Sequence, residues 1–159
     1  MMTKMKQAFP IFLSLLVLAA AFGCAAKKAV QINVDALAAE LASSIKYNDS
    51  LSKLEEKPAL KLYNMQNISI NKQTVYVSSG ATAEEISVWE AKDANSAKDV
   101  KAAVLAHIET QKTGFQDYVP TELTKLKNPV LICEGNYVIL CVSNDNTKAK
   151  QVIDSYLKQ

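Results

Sequence analysis

Two β-hairpin patterns constrain the fold of this chain more strongly than any other feature of its sequence. The clearer one is PVLICEGNYVILCVS at 129–143, where two apolar runs flank Gly135 and Asn136. Glycine and asparagine tolerate the positive φ angles that a two-residue hairpin turn needs. The second pattern pairs TVYVSS at 74–79 with EISVWEA at 85–91, and both runs are rich in the β-branched and aromatic residues that favour strands. The chain is therefore predicted to form two antiparallel hairpins.

Each hairpin pattern is followed by a segment with helical spacing. The longer segment has a face made of Val100, Val104, Ile108, Gln111 and Phe115. Ser96, with Asp99 three residues later, predicts a capping box at its start. The shorter segment begins at 145–147 and carries Val152, Ile153, Tyr156 and Leu157 on its apolar face. The second half of the chain thus predicts two strand–strand–helix units.

Helical patterns also precede the first hairpin. NVDALAAELASSI at 33–45 repeats apolar residues every four positions, with Asn33 or Asp35 as its cap. Pro58 suits the first turn of a short second helix. The economical arrangement is an α+β domain with an antiparallel sheet of about four strands, helices packed on one face, and the N-terminal helices preceding it.

The N-terminal segment has the pattern of an exported lipoprotein. Lys4 and Lys6 precede an apolar run at Ile11–Phe22, which is shorter than the roughly 20 apolar residues that span a bilayer. A basic start, a short apolar run and small residues after it indicate an export signal. Gly23 and Cys24 end a segment that resembles the lipobox of bacterial lipoproteins, in which the cysteine thiol accepts a diacylglycerol.

This pattern divides the chain into three parts. They are a signal peptide at 1–23, a lipidated N-terminus with a short linker at 24–32, and a single α+β domain at 33–159. The alternatives are cleavage by an ordinary signal peptidase, for example after Ala21, which would give a secreted protein, and an N-terminal segment that stays uncleaved as an anchor. Because two or more acyl chains hold a protein stably on a bilayer, we expect an extracytoplasmic domain held on the cell membrane.

The charge balance of the exported part argues against nucleic acid as a partner. Lys4 and Lys6 account for the net charge of +2, so the chain from Cys24 onward carries equal numbers of lysines and carboxylates. No basic surface remains to neutralise phosphates. The chain also contains no arginine, the residue whose planar fork suits bidentate phosphate binding. A phosphoryl-transfer site is therefore disfavoured as well.

Several stretches together resemble one known family. After the lipobox come VDALAAELASSIKY at 34–47, YVSSGATAEEISVWEAKD at 76–93, then Gln111, Phe115, Tyr118 and Pro120, and finally GNYVILCVSND at 135–145. They are similar to an uncharacterised family of Gram-positive (Firmicute) lipoproteins, the domain of unknown function 4358 family. The resemblance implies an α+β fold on the outer face of a Gram-positive cell membrane. It brings no catalytic residue with it.

The loop between the strands of the first hairpin is the main candidate site. It contains Ser78, Ser79, Thr82, Glu84 and Glu85 around Gly80. We expect a hairpin corner in which Gly80 takes a positive φ angle, Thr82 caps a turn and the two glutamates are solvated. As a binding surface, this loop would act together with Gln111 and Tyr118.

The same loop suggests an enzyme as the alternative. A serine nucleophile at Ser78 or Ser79 needs a base within reach. The only histidine is His107, and we expect it at the surface or boundary of the long helix. The G-x-S-x-G elbow and the phosphate-loop lysine are both missing from the sequence. We therefore predict no catalytic residue, and a cell-envelope hydrolase remains the second choice.

Other candidate sites have weaker support. Glu84, Glu85 and Glu90 do not form a cation site, because adjacent strand residues point to opposite sides. Cys133 and Cys141 are expected as buried, unbridged residues, since the hairpin register pairs Cys133 with Val138. We predict neither a metal nor a cofactor.

Four aromatic residues offer either a ligand surface or core packing. They are Tyr76, Trp89, Tyr118 and Tyr137. Strand aromatics mostly fill the space between sheet and helices, so we expect core packing. The predicted function is a non-catalytic binding module, anchored to the membrane, whose partner is a protein or a wall component. An accessory solute-binding lipoprotein is a further alternative, although the chain is too short for two closing lobes.

Overall fold

The computed structural model describes residues 31–158, so the export signal and Cys24 lie outside the described residues. The helices are α1 (Val34–Ser44), α2 (Glu56–Leu62), α3 (Ala94–Gln116), α4 (Leu123–Lys127) and α5 (Asn146–Leu157). The strands are β1 (Ser52–Lys53), β2 (Ile70–Val77), β3 (Glu85–Ala91), β4 (Val130–Glu134) and β5 (Tyr137–Val142). A short 3₁₀ turn at Pro120–Glu122 leads into α4.

The strands form one antiparallel sheet in the order β1-β2-β3-β5-β4. Both predicted hairpins are present, β2 with β3 and β4 with β5, and each is followed by a helix as expected. Gly135 has a φ angle of +58° in the second hairpin turn, a conformation that glycine adopts without steric cost. The α+β class is thus confirmed, and the two-residue strand β1 is the one addition to the four expected strands.

Helices cover both faces of this sheet, so the prediction of helices on one face is wrong. α1 and α5 pack on the face that carries Ile86, Val88 and Ile139. α2, α3 and α4 cover the other face, with Trp89 and Leu140. The physical reason is the interior strand β5, whose six residues are all apolar and all buried. A strand that is apolar on both sides needs cover on both sides.

The helix starts follow local hydrogen bonding. The side chain of Asn33 accepts the N–H of Ala36 and caps α1, as predicted. The predicted capping box at Ser96 is wrong, because α3 begins two residues earlier. The Asp93 carboxylate accepts the N–H groups of Asn95 and Ser96 there, and such a carboxylate satisfies the free donors of a helix start.

The two described cysteines are unbridged, and Cys133 pairs with Val138 as the register predicts. Cys141 is buried, and burial raises the pKa of its thiol. Cys133 is exposed, so the prediction that both are buried is wrong for this residue. It lies on β4, which is the last strand of the sheet.

No helix within residues 31–158 is long and apolar enough to cross a membrane.

Asp35 joins the first turn of α1 to the sheet. Its carboxylate accepts a hydrogen bond from the hydroxyl of Thr74 on β2. It also pairs with Lys72 at 2.6 Å and with Lys53 at 3.2 Å. The Lys72 ammonium, followed by the Thr74 hydroxyl, holds the pKa of Asp35 well below its usual range. The carboxylate therefore stays charged in moderately acidic solution.

We expect Asp35→Asn to lower the free energy of unfolding by about 1 kcal/mol at neutral pH, because three donors lose their charged acceptor and the half-exposed site is screened by solvent. A group whose pKa is depressed on folding stabilises the fold above its unfolded pKa, and the stabilisation is lost as pH falls through the folded pKa. Urea unfolding should therefore give a constant difference between the wild-type and variant chains above about pH 5 and a shrinking one below about pH 4.

Asp154→Asn is the control, because the partner of Asp154 within residues 31–158 is Lys158, at the exposed end of α5. An Asp35→Asn effect no larger than the control effect would contradict the assigned role.

Candidate functional site

A cleft of about 230 Å³ lies beside the loop that joins β2 to β3. Six of the seven predicted binding residues line it, namely Ser78, Ser79, Thr82, Glu84, Glu85 and Gln111. Its apolar walls come from Leu62 at the end of α2 and from Phe115 near the end of α3. The loop residues predicted from sequence thus meet residues of two helices that are distant in the chain.

The loop serines donate their hydroxyl hydrogens within the loop or to a neighbouring turn. Ser78 Oγ donates to the Thr82 carbonyl at 2.5 Å. The backbone N–H and the hydroxyl of Ser79 donate to Asp49 Oδ2, at 2.8 Å and 2.5 Å. These hydrogen bonds hold the pKa of Asp49 below its usual range. Gly80 has a φ angle of +96°, so the predicted glycine corner is confirmed.

Glu84 is buried, so the prediction that it is solvated is wrong. The backbone N–H groups of Asn48 and Asp49 donate to its carboxylate at 2.8–3.0 Å. Thr82 Oγ1 donates at 3.1 Å, and Lys125 Nζ donates at 3.1 Å. Burial by itself raises the pKa of Glu84, but the backbone donors and the Lys125 ammonium outweigh it and lower the pKa. The carboxylate is therefore charged and compensated.

A second buried carboxylate shares the same lysine. Lys125 Nζ on α4 lies 2.8 Å and 3.0 Å from the two carboxylate oxygens of Glu122. Glu122 Oε2 also accepts the backbone N–H of Ala83, which precedes Glu84 in the loop. The ion cluster Glu84–Lys125–Glu122 therefore connects the buried side of the loop to α4.

Glu85 is also buried, and the expectation of a solvated side chain is wrong here as well. Its Oε2 atom lies 3.0 Å from His107 Nε2 and accepts a hydrogen bond from Gln111 Nε2 at 3.4 Å. Its Oε1 atom accepts the hydroxyl of Tyr63, the residue that ends α2. Glu85 thus connects β3 with two helices at the inner wall of the cleft.

His107 is a buried residue and not the surface residue that its isolation in the sequence suggests. Its side chain is 5% exposed, and its ring lies 4.2 Å from the ring of Tyr63. Tyr63 in turn meets Trp89 edge to face at 5.0 Å. His107 and Gln111 are one helical turn apart, so both reach Glu85 from the same side of α3.

Glu84 and Glu85 have different sets of partners, in agreement with the alternation of side chains along a strand. Glu90 pairs with Tyr137 at the far end of β3. No group of three or more His, Cys, Asp or Glu side chains within residues 31–158 could hold a metal ion. The two glutamates act instead as acceptors for donors of the protein itself.

The aromatic residues divide between core and surface. Trp89 and Tyr137 are buried, as predicted, and Tyr76 is partly buried. Tyr118 is 71% exposed, which makes the prediction of core packing wrong for this residue. Its ring lies 6.5 Å from that of Phe115, a wall of the cleft. Tyr118 therefore extends the apolar wall of the cleft onto the surface.

Several residues of the site were not predicted from the sequence. Glu122 and Lys125 are one helical turn apart, and so are His107 and Gln111, so helical spacing could have grouped each pair. Nothing in the sequence indicates that either pair lies against the Glu84–Glu85 dipeptide. Tyr63 has no signal in the sequence, because its role depends on where α2 ends.

Two larger clefts lie elsewhere. One, of about 540 Å³, runs along the outer side of β2 and α2 among exposed charged residues. The other, of about 360 Å³, lies between α4 and the start of α5 and is lined mainly by polar residues. The cleft at the β2–β3 loop is smaller, but of the three it alone is lined by Glu84 and Glu85.

One family model matches residues 43–143, and its description is "Domain of unknown function (DUF4358)". The match covers more than half of the chain and includes the whole loop, His107, Glu122 and Lys125. No curated protein and no solved structure matches the chain.

We expect Lys125→Met to destabilise the fold by about 3–5 kcal/mol, because it leaves two buried carboxylates without their shared cation. Adding Glu84→Gln should recover on the order of 1 kcal/mol, since one of the two stranded charges is removed. Chemical unfolding of the two single variants and the double variant measures both terms.

Lys127→Met is the matched control on the same helix. Lys127 is exposed, so its replacement should change stability by no more than about 0.5 kcal/mol. Equal effects of the Lys125 and Lys127 variants would show that the buried cluster does not stabilise the loop.

Proposed function

The chain belongs to the domain of unknown function DUF4358 family, and we propose that it is a non-catalytic binding module. Its cleft beside the β2–β3 loop receives part of a protein partner or of a wall component. The loop supplies hydroxyl and amide groups, and Leu62, Phe115 and Tyr118 supply apolar contact. Cofactors have no part in this function.

The observation that carries the proposal is that the buried side of the loop is bonded to other parts of the domain. Three groups outside the loop hold it: the 48–49 turn through Glu84, Lys125 through Glu84, and Glu122 through Ala83. A loop that is already ordered loses little conformational entropy when a ligand binds, so more of the contact energy appears as affinity. An ordered polar loop close to an exposed aromatic residue suits recognition.

The hydrogen bonds of the serines favour binding over nucleophilic catalysis. A serine nucleophile must donate to a base, whereas Ser78 donates to a carbonyl, which takes up no proton, and Ser79 donates to Asp49, whose lowered pKa makes it a weak base. His107 Nε2 lies against Glu85. The residues that an envelope hydrolase would need are present but bonded to other groups.

We further propose that the domain sits on the outer face of the cell membrane through a diacylglycerol on Cys24. The sequence pattern around Cys24 supports this location. The linker at 25–31 spans at most about 25 Å when fully extended, so the domain would lie close to the bilayer. Binding partners at the membrane surface or in the adjoining wall are therefore within reach.

We expect a photo-reactive amino acid at position 62 to form adducts with the partner in intact cells. Leu62 lines the cleft and is 42% exposed. The same label at position 105 is the control, because Leu105 is 46% exposed and lies outside the cleft. Tyr118→Ala should reduce the adduct at position 62, since it removes the exposed part of the apolar wall.

Equal adduct yields at positions 62 and 105 would contradict a binding cleft here. Labelling of Ser78 or Ser79 by a fluorophosphonate probe on the folded chain would favour the hydrolase alternative instead. The two measurements therefore separate a misplaced binding surface from a mistaken class of function.

We expect Cys24→Ala to release the domain from the membrane, or to leave it unprocessed, because the thiol that accepts the diacylglycerol is gone. Fractionation of cells and medium, with the size of the chain on a gel, distinguishes the mature from the unprocessed form. A mature-sized variant that remains in the membrane fraction would contradict anchoring through Cys24.

A further inference from the structure

The outer edge of β4 is open in the part of the chain that the structure describes. Among the strands described, β4 is the last of the sheet and pairs with β5 alone. Its register with β5 is continuous from Val130 to Glu134, without a bulge. A continuous edge strand presents a row of backbone groups that can pair with another strand.

The register identifies which backbone groups of β4 point outward. The N–H of Ala91 on β3 donates to the carbonyl of Asn136, so even-numbered residues of β5 bond towards β3. The odd-numbered residues of β5 therefore bond towards β4, where their partners are Val130, Ile132 and Glu134. Because pairing alternates along an antiparallel strand, the N–H and C=O groups of Leu131 and Cys133 point outward.

The opposite edge of the sheet carries protective features that β4 lacks. There the two-residue strand β1 covers the end of β2, and a bulge interrupts β2 between Ile70 and Lys72. Lys53 and Lys72 add charge to that edge. Short edge strands, bulges and lysines are the features by which proteins prevent edge-to-edge pairing. Within its five residues β4 has no lysine, no proline and no bulge.

The side chains of β4 are also less covered than those of its neighbour. Leu131 and Ile132 are partly exposed and Cys133 is exposed, whereas every residue of β5 is buried. The helices of the domain therefore leave apolar surface next to the open backbone edge. An added strand would cover this surface and pair with the backbone groups at the same time.

We propose that β4 is a self-association edge, at which a second copy of this chain adds its own β4 antiparallel across a two-fold axis. An antiparallel pair of identical strands is self-complementary, as a two-fold interface requires. The sheet then continues from one copy into the other through β4. This interface does not involve the cleft and does not depend on the proposed function.

The register centred on Ile132 pairs all five residues of β4 with the partner strand and also keeps like charges apart. In that register Leu131 lies opposite the partner's Cys133, so the outward backbone groups meet in hydrogen-bonded pairs. Glu134 lies opposite the partner's Val130, and the two glutamates are separated by about 13 Å along the strands. A register centred on Cys133 would bring the two glutamates to about 7 Å along the strands, where like charges repel more strongly.

Disulfide trapping of the full-length chain in detergent tests this pairing. In a Cys133→Ser background, Ile132→Cys places two thiols at the two-fold axis, where paired Cα atoms are about 4.5 Å apart and a disulfide can form. Mild oxidation should give about tenfold more covalent dimer than the control, because this separation falls within the range that a disulfide spans.

The control is Lys72→Cys in the same background, which puts an exposed thiol on the protected edge. A dimer yield for Ile132→Cys no greater than for Lys72→Cys would overturn the proposal.

A proline variant tests whether the outward backbone groups are responsible. Cys133→Pro, combined with Ile132→Cys, removes an N–H that points away from β5, and proline is tolerated on edge strands in that position. Circular dichroism melting should show a folded chain, and the covalent dimer should be lost. A folded variant that still forms the dimer would show that the copies meet elsewhere and would overturn the edge pairing.

Discussion

Two adjacent buried carboxylates, Glu84 and Glu85, hold the main parts of this domain together at the start of β3. A buried charge is costly unless it is paired and hydrogen-bonded, so each glutamate needs partners from other elements. Glu84 accepts hydrogen bonds from the 48–49 turn and pairs with Lys125 of α4. The Glu85 carboxylate contacts Tyr63, which follows the last residue of α2, and His107 of α3. The loop before β3 is consequently fixed in relation to three helices.

The buried ion cluster around Lys125 has its main effect on where the loop lies. Replacement of a buried ion pair by apolar residues often leaves stability unchanged or raises it. We therefore expect the cluster around Lys125 to determine the position of the loop more than it raises the free energy of unfolding. It places Ser78, Ser79 and Thr82 in the lining of a cleft that Leu62 and Phe115 also line. Precise placement of a few polar groups beside apolar walls is what a recognition site needs.

The sheet poses a second constraint, because β5 is apolar on both sides and must be covered on both. α1 and α5 cover one face, and α2, α3 and α4 cover the other. β4 lies at the margin of this cover, which leaves Cys133 exposed and Leu131 and Ile132 half-covered. The open edge and the uncovered side chains therefore have a common origin in the position of β4 at the end of the sheet.

The sequence by itself determined the elements: two hairpins, the helix after each, the helices before them and the glycine corner at Gly80. These depend on local spacing and turn chemistry, which a chain carries at every position. Only the tertiary structure decided that helices lie on both faces and that Glu84, Glu85 and His107 are buried. From sequence alone, a charged residue in a loop is expected to be solvated. Glu84 and Glu85 are buried because donors that are distant in the chain, such as Lys125 and Tyr63, bind their carboxylates. Those contacts depend on packing across the chain, which no local pattern of residues specifies.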